Sequence, residues 1–311
     1  MSLRRALDLA EAARGRAYPK PTVGAVVVAG DEIVGEGVTE AGGRHGEVVA
    51  LEAAAGRARG ATLYVTMEPC AHHGTTPPCV EAVLAAGIAR VVAGSSDPNP
   101  EAAGGLGRLQ AAGVETELAE SVEARRQNEA WRTWVARGRP FVTYKAAITL
   151  DGRVTVPGSR WISGLASRRL VHELRATSDA VAVGMGTVRL ENPRLDARDV
   201  GAARQPRRLA FGTGPLPDGS ELELLSGPLE EELSALAAEG VQSLLLEGGP
   251  TLAGAFLRGG LVDKLLLFVA PSLSGAGPGL ADRLDAPLTL VQLTTRQVGE
   301  DVLLEGYLHE P

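Results

Sequence analysis

The stretch from His45 to Cys79 constrains this chain more than any other, because it holds both cysteines of the sequence. A His-x-Glu motif begins at His45, a Glu-Pro-Cys motif ends at Cys70, and a Pro-Pro-Cys motif ends at Cys79. One imidazole and two thiolates leave the fourth corner of a tetrahedral zinc site open for water, which is typical of a catalytic zinc. The sequence therefore predicts that His45, Cys70 and Cys79 bind one Zn²⁺ ion.

Glu47 belongs to the same motif as a proton carrier and not as a zinc ligand. The order His-x-Glu, Pro-Cys and a second Cys is that of the zinc deaminases, in which a carboxylate moves protons beside the metal. Residues i and i+2 do not face each other on an ideal helix, so His45 and Glu47 converge only if His45 stands at the helix start. Two alternatives stay open: His72 or His73 closes a structural zinc site, or the cysteines are ordinary small residues.

Length and charge limit the classes of function. A chain of 311 residues predicts two domains. Its net charge of −7 argues against a protein that follows a phosphate backbone, so we expect no nucleic-acid partner. No apolar run approaches the ~18 residues of a membrane-spanning helix, and the N-terminus predicts an amphipathic helix rather than a signal peptide. We expect a cytoplasmic protein with no membrane partner, in which two cysteines indicate metal binding or catalysis.

Strands and helices alternate along the chain, which indicates an α/β protein. We place the domain boundary within the segment 137–140, giving domains of residues 1–139 and 140–311. Residues 121–137 predict one continuous helix, and the Pro- and Gly-rich segment 199–228 predicts a single strand near 207–211.

Both halves of the chain resemble the bifunctional riboflavin biosynthesis family, RibD. In the first half the resemblance lies in Pro21–Gly24, in the insert 71–78 between the cysteines and in Ser96–Pro100. The second half agrees independently, with motifs in the same order as in the family: Lys145, Asp151-Gly152-Arg153, Arg160–Ser163, Leu174-Arg175, Thr187-Val188, Asn192-Pro193 and Glu247–Ala255.

This resemblance implies a cytidine-deaminase-like three-layer α/β domain followed by a dihydrofolate-reductase-like α/β domain. The first would deaminate a pyrimidinone ribosylamine 5′-phosphate derived from GTP, with one Zn²⁺ and with Glu47 as proton donor. The second would use NADPH to reduce the ribosyl group to a ribityl group. Phosphorylated pyrimidines are then the expected small-molecule partners. The family also suggests a homo-oligomer associated through the reductase half.

The resemblance assigns residues of the reductase half as well. Lys145 would line the hydride-transfer site; the alternative is that it is a strand residue facing solvent. Arginines suit a phosphorylated sugar because their guanidinium groups are cationic, fork-shaped donors. The substrate would contact Ser159, Arg175, Leu195, Arg198 and Glu247. NADPH would contact Ala147, Trp161, Thr187, Glu191, Gly249, Pro250, Thr251, Leu252, Ala253, Gly254 and Ala255. The run from Gly249 joins a strand end to a helix start, where free N–H groups favour phosphate.

This chain departs from the family mainly in the deaminase pocket. Lys20 stands where the family usually has Asn, Val38 or Thr39 where it has His, and Thr75 where it has Lys or Arg. Smaller departures are Gly46 for Ala and Glu191 for Asp. We hypothesise that Lys20 replaces the positive charge missing at position 75 and contacts the substrate phosphate. The alternative is that Lys20 is simply exposed.

Four interpretations follow from these motifs. The favoured one is a bifunctional enzyme, a zinc hydrolase and an NADPH-dependent oxidoreductase. A second keeps only the reductase, with the first domain a weakened zinc scaffold. A regulatory module that uses zinc for folding is disfavoured by Glu47, since a structural site has no use for that carboxylate. A nucleic-acid deaminase is disfavoured by the acidic balance of the chain.

Overall fold

The computed structural model describes residues 2–74 and 76–310. The chain forms two compact units, residues 1–137 and 138–311. No helix within the described ranges is long and apolar enough to cross a membrane.

The first unit contains a five-stranded sheet with the strand order β2-β1-β3-β4-β5. Strand β1 pairs antiparallel with β2 and β3, while β3, β4 and β5 are parallel. The elements are α1 Ser2–Ala12, β1 Gly24–Ala29, β2 Glu32–Val38, α2 Gly46–Ala54, a 3-10 turn Ala55–Ala58, β3 Thr62–Val65, α3 Cys79–Ala86, β4 Arg90–Ala93, α4 Gly105–Ala111, β5 Glu115–Leu118, α5 Val122–Gln127 and α6 Glu129–Arg137.

Helix α2 lies unusually close to strand β2 because two glycines of that strand face it. A Cβ atom at Gly35 would lie 2.2 Å from the backbone oxygen of Ala50, and one at Gly37 would lie 2.3 Å from that of Gly46. Distances below 3 Å exclude any side chain at either position unless the backbone moves. These contacts fix the start of α2 against the sheet, and the predicted His-x-Glu motif lies at that start.

The prediction of one helix over residues 121–137 is wrong, because the helix breaks at Asn128. The Asn128 side chain accepts a hydrogen bond from the Thr22 backbone N–H at 2.9 Å and donates to the Thr22 carbonyl at 3.0 Å. The backbone of Asn128 leaves the helical region, with φ −122° and ψ 27°. Asparagine side chains compete with the helix for backbone partners, and here that competition joins α5 and α6 to the segment that precedes β1.

The second unit contains an eight-stranded sheet with the order β12-β13-β11-β6-β10-β7-β8-β9. The strands from β11 to β9 in that order are parallel to their neighbours, and β13 and β12 continue the sheet antiparallel. The elements are β6 Phe141–Thr149, α7 Leu165–Thr177, β7 Ala180–Gly184, α8 Met185–Glu191, β8 Arg207–Phe211, β9 Glu223–Leu225, α9 Leu229–Ala238, β10 Ser243–Leu246, α10 Pro250–Arg258, β11 Lys264–Ala270, β12 Val291–Val298 and β13 Asp301–Tyr307.

The segment 199–228 carries two strands and not the single one predicted. Strand β8, Arg207–Phe211, has the predicted bounds, but β9 adds three residues parallel to it. A three-residue strand is too short to show an alternating pattern, and Gly219 and Gly227 on either side indicate only a loop.

Parallel strands give the second sheet one edge at which the carboxyl ends of β6, β7, β8 and β10 meet. The core beneath them is apolar, and Tyr144, Leu246 and Phe256 are fully buried in it. Ligands of open α/β sheets bind outside the carboxyl ends of the strands. This edge is therefore where a ligand site is expected in the second unit.

Candidate active sites

The three predicted zinc ligands converge in the first unit. The ligand atoms of His45, Cys70 and Cys79 all lie within 4.8 Å of one another. The Nδ1 atom of His45 is 3.1 Å from the Sγ of Cys79 and 3.6 Å from the Sγ of Cys70. Imidazole nitrogen and two thiolates are the donors that zinc prefers, so the residues present fit the ion.

Local backbone geometry explains why His45 and Glu47 can act together. His45 is the N-cap of α2, with an extended backbone at φ −80° and ψ 149°, and Glu47 lies in the first helical turn. His45 is thus placed at the helix start, as the i, i+2 spacing requires. Cys79 opens α3, and its backbone N–H donates to the Cys70 Sγ at 3.3 Å.

The two thiols differ in how easily they ionise. A hydrogen bond from Cys79, assisted by the neighbouring His45, lowers the pKa of Cys70 well below its ordinary value. The thiolate is the form of cysteine that binds metal. The same hydrogen bond, together with burial, raises the pKa of Cys79, which is fully buried, so Cys70 is the thiol of the pair that ionises first.

Glu47 is a buried carboxyl group with unsatisfied bonding capacity. Only 3% of the residue is exposed, and its Oε2 atom has no hydrogen-bond partner among the described residues. Burial raises the pKa of Glu47 to about 6. A buried oxygen without a partner normally costs stability, and a carboxyl group that titrates near neutral pH suits proton transfer.

Glu47 and His45 line a cavity of about 230 Å³. Lys20 and Thr39, two of the positions at which this chain departs from the family, also line this cavity. Val38, the alternative to Thr39, is the last residue of β2 and does not belong to the lining. The Nζ atom of Lys20 comes within 2.9 Å of the position that a Cβ at Gly43 would occupy. Thr75 lies outside the described residues.

Neither of the two histidines considered as a fourth ligand joins the three ligands within the described ranges. His72 lines the cavity, and its Nδ1 is buried without a hydrogen-bond partner. His73 is exposed and lies 3.4 Å from Glu81. The cluster of possible ligands contains His45, Cys70 and Cys79 only.

Gly46 is another position at which this chain departs from the family, and close packing leaves no room for a side chain there. A Cβ at this position would lie 2.4 Å from the carbonyl oxygen of Val23. Alanine here would push α2 away from the segment before β1, so this glycine brings the zinc-ligand helix closer to that segment.

Several residues that line this cavity are not among those predicted from the sequence, although two of them belong to the Ser96–Pro100 motif. Asp97 and Asn99 follow β4, and Trp131 comes from α6. The turn-forming sequence at 97–100 was the available signal. Glu68, quoted within the Glu-Pro-Cys motif, accepts hydrogen bonds from the backbone N–H groups of Asp97 and Leu106 and thereby fixes this loop.

In the second unit, three predicted residues meet at the carboxyl edge of the sheet. Glu247 receives two hydrogen bonds from the Arg175 guanidinium, at 2.6 and 3.0 Å, and lies 3.4 Å from the Lys145 ammonium. All three side chains are largely buried. Although burial favours the protonated form, the charges of Lys145 and Arg175 lower the pKa of Glu247 to about 2. The cluster therefore carries one negative and two positive charges.

The other residues predicted to bind substrate lie on two loops. Arg198 is half-exposed and pairs with Asp196 at 2.7 Å. The Leu195 side chain is 4% exposed, so its backbone, at φ 53°, is the part that could meet a ligand. On the other loop, the Ser159 hydroxyl donates to the Trp161 carbonyl at 2.8 Å.

A second cavity, of about 350 Å³, opens where β7 and β8 end and α10 begins. Thr251, Leu252 and Ala255, which the resemblance assigns to NADPH, line it. Glycines make room at its walls. At Gly212, with φ 133°, a Cβ would lie 3.1 Å from the Met185 side chain. Small residues at strand ends and helix starts allow close approach of a dinucleotide, so the residues present fit the cofactor.

The remaining residues assigned to NADPH are more scattered. The Arg160 and Arg168 guanidinium groups lie 5.0 and 4.8 Å from the ring of Trp161, which is 51% exposed. Ala253 belongs to the buried core. The other assigned positions lie as follows: Ala147 in β6, Thr187 and Glu191 in α8, Gly249 as the N-cap of α10, and Pro250 and Gly254 within α10.

Sequence reasoning missed most of this second cavity. Its other lining residues come from the end of β7 and from α8, from the end of β8 and the residues after it, and from the start of α9: Gly184, Met185, Gly186, Arg189, Phe211, Gly212, Thr213, Gly227 and Leu229. The Gly-Met-Gly sequence directly after a predicted strand was a usable signal for the first of these turns.

Both halves match known families. The cytidine and deoxycytidylate deaminase zinc-binding region matches residues 2–95, and the RibD C-terminal domain matches residues 140–304. Riboflavin biosynthesis protein RibD of Mycobacterium tuberculosis is 46% identical over 281 residues, covering 85% of this chain and 82% of that protein. RibD of Escherichia coli is 37% identical over 355 residues, covering 96% of each chain.

Solved structures agree over nearly the whole length. Acinetobacter baumannii RibD gives a TM-score of 0.84 at 34% identity, covering 98% of this chain and 97% of that one. A Thermotoga maritima protein, described as a diaminohydroxyphosphoribosylaminopyrimidine deaminase/5-amino-6-(5-phosphoribosylamino)uracil reductase, gives 0.81 at 32% identity, with the same coverage. The predicted fold, a deaminase-like and a reductase-like α/β domain, is confirmed. This chain belongs to the RibD family of riboflavin biosynthesis proteins.

Proposed function

We propose that this chain performs two consecutive steps of riboflavin biosynthesis. The first unit removes an amino group from a phosphorylated diaminopyrimidine, and the second reduces the ribosyl group with NADPH. The single observation that carries the deaminase assignment is the buried Glu47 carboxyl group beside the three-ligand cluster, whose Oε2 atom has no hydrogen-bond partner among the described residues. We retain residues 1–139 and 140–311 as the functional domains.

In the deaminase, each residue has a distinct task. His45, Cys70 and Cys79 would hold the zinc ion, which supplies Lewis-acid activation of water when bound. Glu47 takes one proton from the attacking water and transfers it to the ring nitrogen, then takes the second proton from the new hydroxyl group on the ring carbon and gives it to the departing amino group. The C–N bond breaks and ammonia leaves. Because the Glu47 Oε2 has no competing partner, it is available for both transfers.

Replacing Glu47 by Gln tests this role directly. The amide keeps the shape of the side chain but cannot shuttle protons, so ammonia release should fall by roughly 10²–10⁴-fold. Zinc content, measured by elemental analysis, should stay at one ion per chain. Loss of zinc together with activity would instead mean that Glu47 is structural. Full activity in the E47Q variant would refute the assignment.

Lys20 supplies a positive charge at the deaminase pocket. The cavity also holds Glu47, Glu68 and Asp97, so a phosphorylated substrate needs a cation among these carboxyl groups. We assign Lys20 to the substrate phosphate. The K20A variant should raise the deaminase KM for the phosphorylated substrate about tenfold and leave kcat nearly unchanged. Lys264, which pairs with Glu305 in the second unit, gives the matched control K264A; an unchanged KM in K20A rejects the assignment.

In the reductase, Lys145 lines the hydride-transfer site and is held in place by Glu247. NADPH supplies the hydride when bound. The Lys145 ammonium donates a proton to the sugar oxygen as the ribosyl ring opens, while Glu247, 3.4 Å away, orients Lys145. Arg198 and the backbone of Leu195 contact the substrate from the loop after α8. The cofactor occupies the second cavity, against Thr251, Leu252 and Ala255.

A two-part assay separates the two halves. Purified protein should release ammonia in a chelator-sensitive reaction and should oxidise NADPH with the deaminated intermediate whether or not a chelator is present. NADPH oxidation without any ammonia release would favour the alternative in which the first domain is only a scaffold. A K145M variant should lose NADPH oxidation and keep ammonia release.

Association through the second unit and a cytoplasmic location are further parts of the proposal, which size-exclusion and fractionation experiments would test.

A further inference from the structure

The second cavity contains one charged side chain among the described residues that line it. That residue is Arg189, on α8; the other lining residues are glycines, apolar residues and threonines. Arg189 does not belong to the set that the family resemblance assigned to the cofactor. Its presence gives the cavity a localised positive charge in otherwise neutral surroundings.

Arg189 is held against the loop that follows β8. Its Nη2 donates to the Thr213 carbonyl oxygen at 2.5 Å. Gly214, at φ 94°, leaves room for this contact, since a Cβ there would lie 3.0 Å from the same Nη2. A guanidinium group has five N–H donors, and this hydrogen bond uses one of them. The Thr213 contact therefore fixes the side chain while leaving it the capacity to bind an anion.

The charge balance of the cavity favours the more negative of the two nicotinamide cofactors. NADPH differs from NADH by a 2′-phosphate, which adds roughly 1.5 to 2 negative charges at neutral pH. Sites for NAD commonly place a carboxylate near the ribose 2′-hydroxyl, whereas sites for NADP place an arginine there. No carboxylate lines this cavity within residues 2–74 and 76–310. The carboxylate of Glu232 accepts a hydrogen bond from the backbone of Gly227 and does not belong to the lining.

We propose that Arg189, anchored by the Thr213 carbonyl, binds the 2′-phosphate and sets the preference for NADPH over NADH. This inference rests on the proposed reductase function, because it places the cofactor in the second cavity. It adds a specificity-determining residue on α8, at the end of the cavity next to the loop after β8. Position 189 in the middle of α8 and the loop 212–214 together form the binding site for this phosphate.

Binding measurements without turnover provide the test. Adenosine 2′,5′-bisphosphate and adenosine 5′-monophosphate differ only by the 2′-phosphate, and calorimetry on the full-length protein gives the Kd of each. The R189A variant should bind the bisphosphate about 10- to 100-fold more weakly, the range expected for losing hydrogen bonds to a charged group, and the monophosphate within about twofold of wild type. The R189K variant keeps the positive charge but lacks the paired N–H donors of the guanidinium group, so its Kd for the bisphosphate should lie between those of wild type and R189A. Arg169, an exposed residue of α7 paired with Glu173, gives the control R169A.

Steady-state kinetics add a second readout. In R189A the KM for NADPH should rise about as much as the bisphosphate Kd, and the KM for NADH should stay the same. Equal losses for both nucleotides, or no loss for either, would overturn the role of Arg189. A wild-type protein that prefers the bisphosphate but does not oxidise NADPH would contradict the proposed reductase function while supporting the phosphate site.

Discussion

Glu247 and Arg175 bind each other through two hydrogen bonds, from Nε to Oε1 at 2.6 Å and from Nη2 to Oε2 at 3.0 Å. The remaining terminal nitrogen of Arg175 donates to the Asp196 carbonyl at 3.2 Å. The resemblance assigned both side chains to the substrate, but all three guanidinium nitrogens of Arg175 already donate to protein oxygens. Its geometry suits a positioning residue, which orients Glu247 and, through it, Lys145.

The R175K variant separates positioning from substrate binding. Lysine keeps the charge but cannot form the paired hydrogen bonds, so Glu247 and Lys145 should lose their alignment. We expect the reductase kcat to fall about tenfold, with little change in the KM for the phosphorylated intermediate. R169A serves as the control. A raised KM at unchanged kcat would instead place the substrate phosphate on Arg175.

Glu247 should also make the stability of the protein depend on pH. Its folded pKa, about 2, lies below the ordinary value of 4.5, so the ionised form is favoured by folding. The resulting stabilisation is fully present above about pH 4.5 and is lost as pH falls towards about 2. It amounts to about 3 kcal/mol at most. Urea unfolding at several pH values should show the free-energy difference between wild type and E247Q shrinking in this range. E300Q, in an exposed turn, is the control, and a constant difference would contradict the prediction.

The first site could be predicted from the sequence because its chemistry sits in one contiguous stretch. His45 and Cys79 lie at the starts of α2 and α3, and Cys70 lies in the loop after β3; the helix and strand patterns located all three elements to within a few residues. Asn128 shows what local patterns cannot provide: its helix-breaking partner, Thr22, is distant in sequence. The second cavity has the same difficulty, because its lining comes from four separate segments that only the parallel strand order brings together.

Zinc affinity should depend on Thr76, which sequence reasoning did not select. Its hydroxyl lies 3.4 Å from the Nε2 of His45, the ring nitrogen on the side away from the thiols. Partners of the second ring nitrogen orient a metal-binding histidine, and their loss costs about 10- to 100-fold in metal affinity. T76V should show this loss in a chelator competition assay, and T76S should not. Equal affinity in T76V and wild type would show that His45 is held by other contacts.

The loop after α8 combines backbone strain with anchoring contacts. Asn192, Leu195 and Asp199 have φ values of 40°, 53° and 63°, in the left-handed region that non-glycine residues rarely adopt. Each such residue costs about 1–3 kcal/mol and keeps this conformation only where the surrounding contacts hold it. One such anchor is Gln205: its Oε1 accepts from the Ala197 N–H, and its Nε2 donates to the Ala197 carbonyl, both at 2.8 Å.

Removing that anchor should loosen the loop that carries Arg198. In Q205A we expect the KM for the phosphorylated intermediate to rise several-fold with kcat nearly unchanged, because the role proposed for Arg198 is to bind the substrate and not to take part in proton or hydride transfer. Backbone amides of residues 194–199 should exchange hydrogen faster than in wild type, which reports local opening. Gln297, whose side chain bonds to Gly299 in an exposed turn, gives the matched control Q297A. If Q205A leaves both the KM and the exchange rates unchanged, His172 and Arg175, which contact the Asp196 carbonyl, suffice to hold the loop.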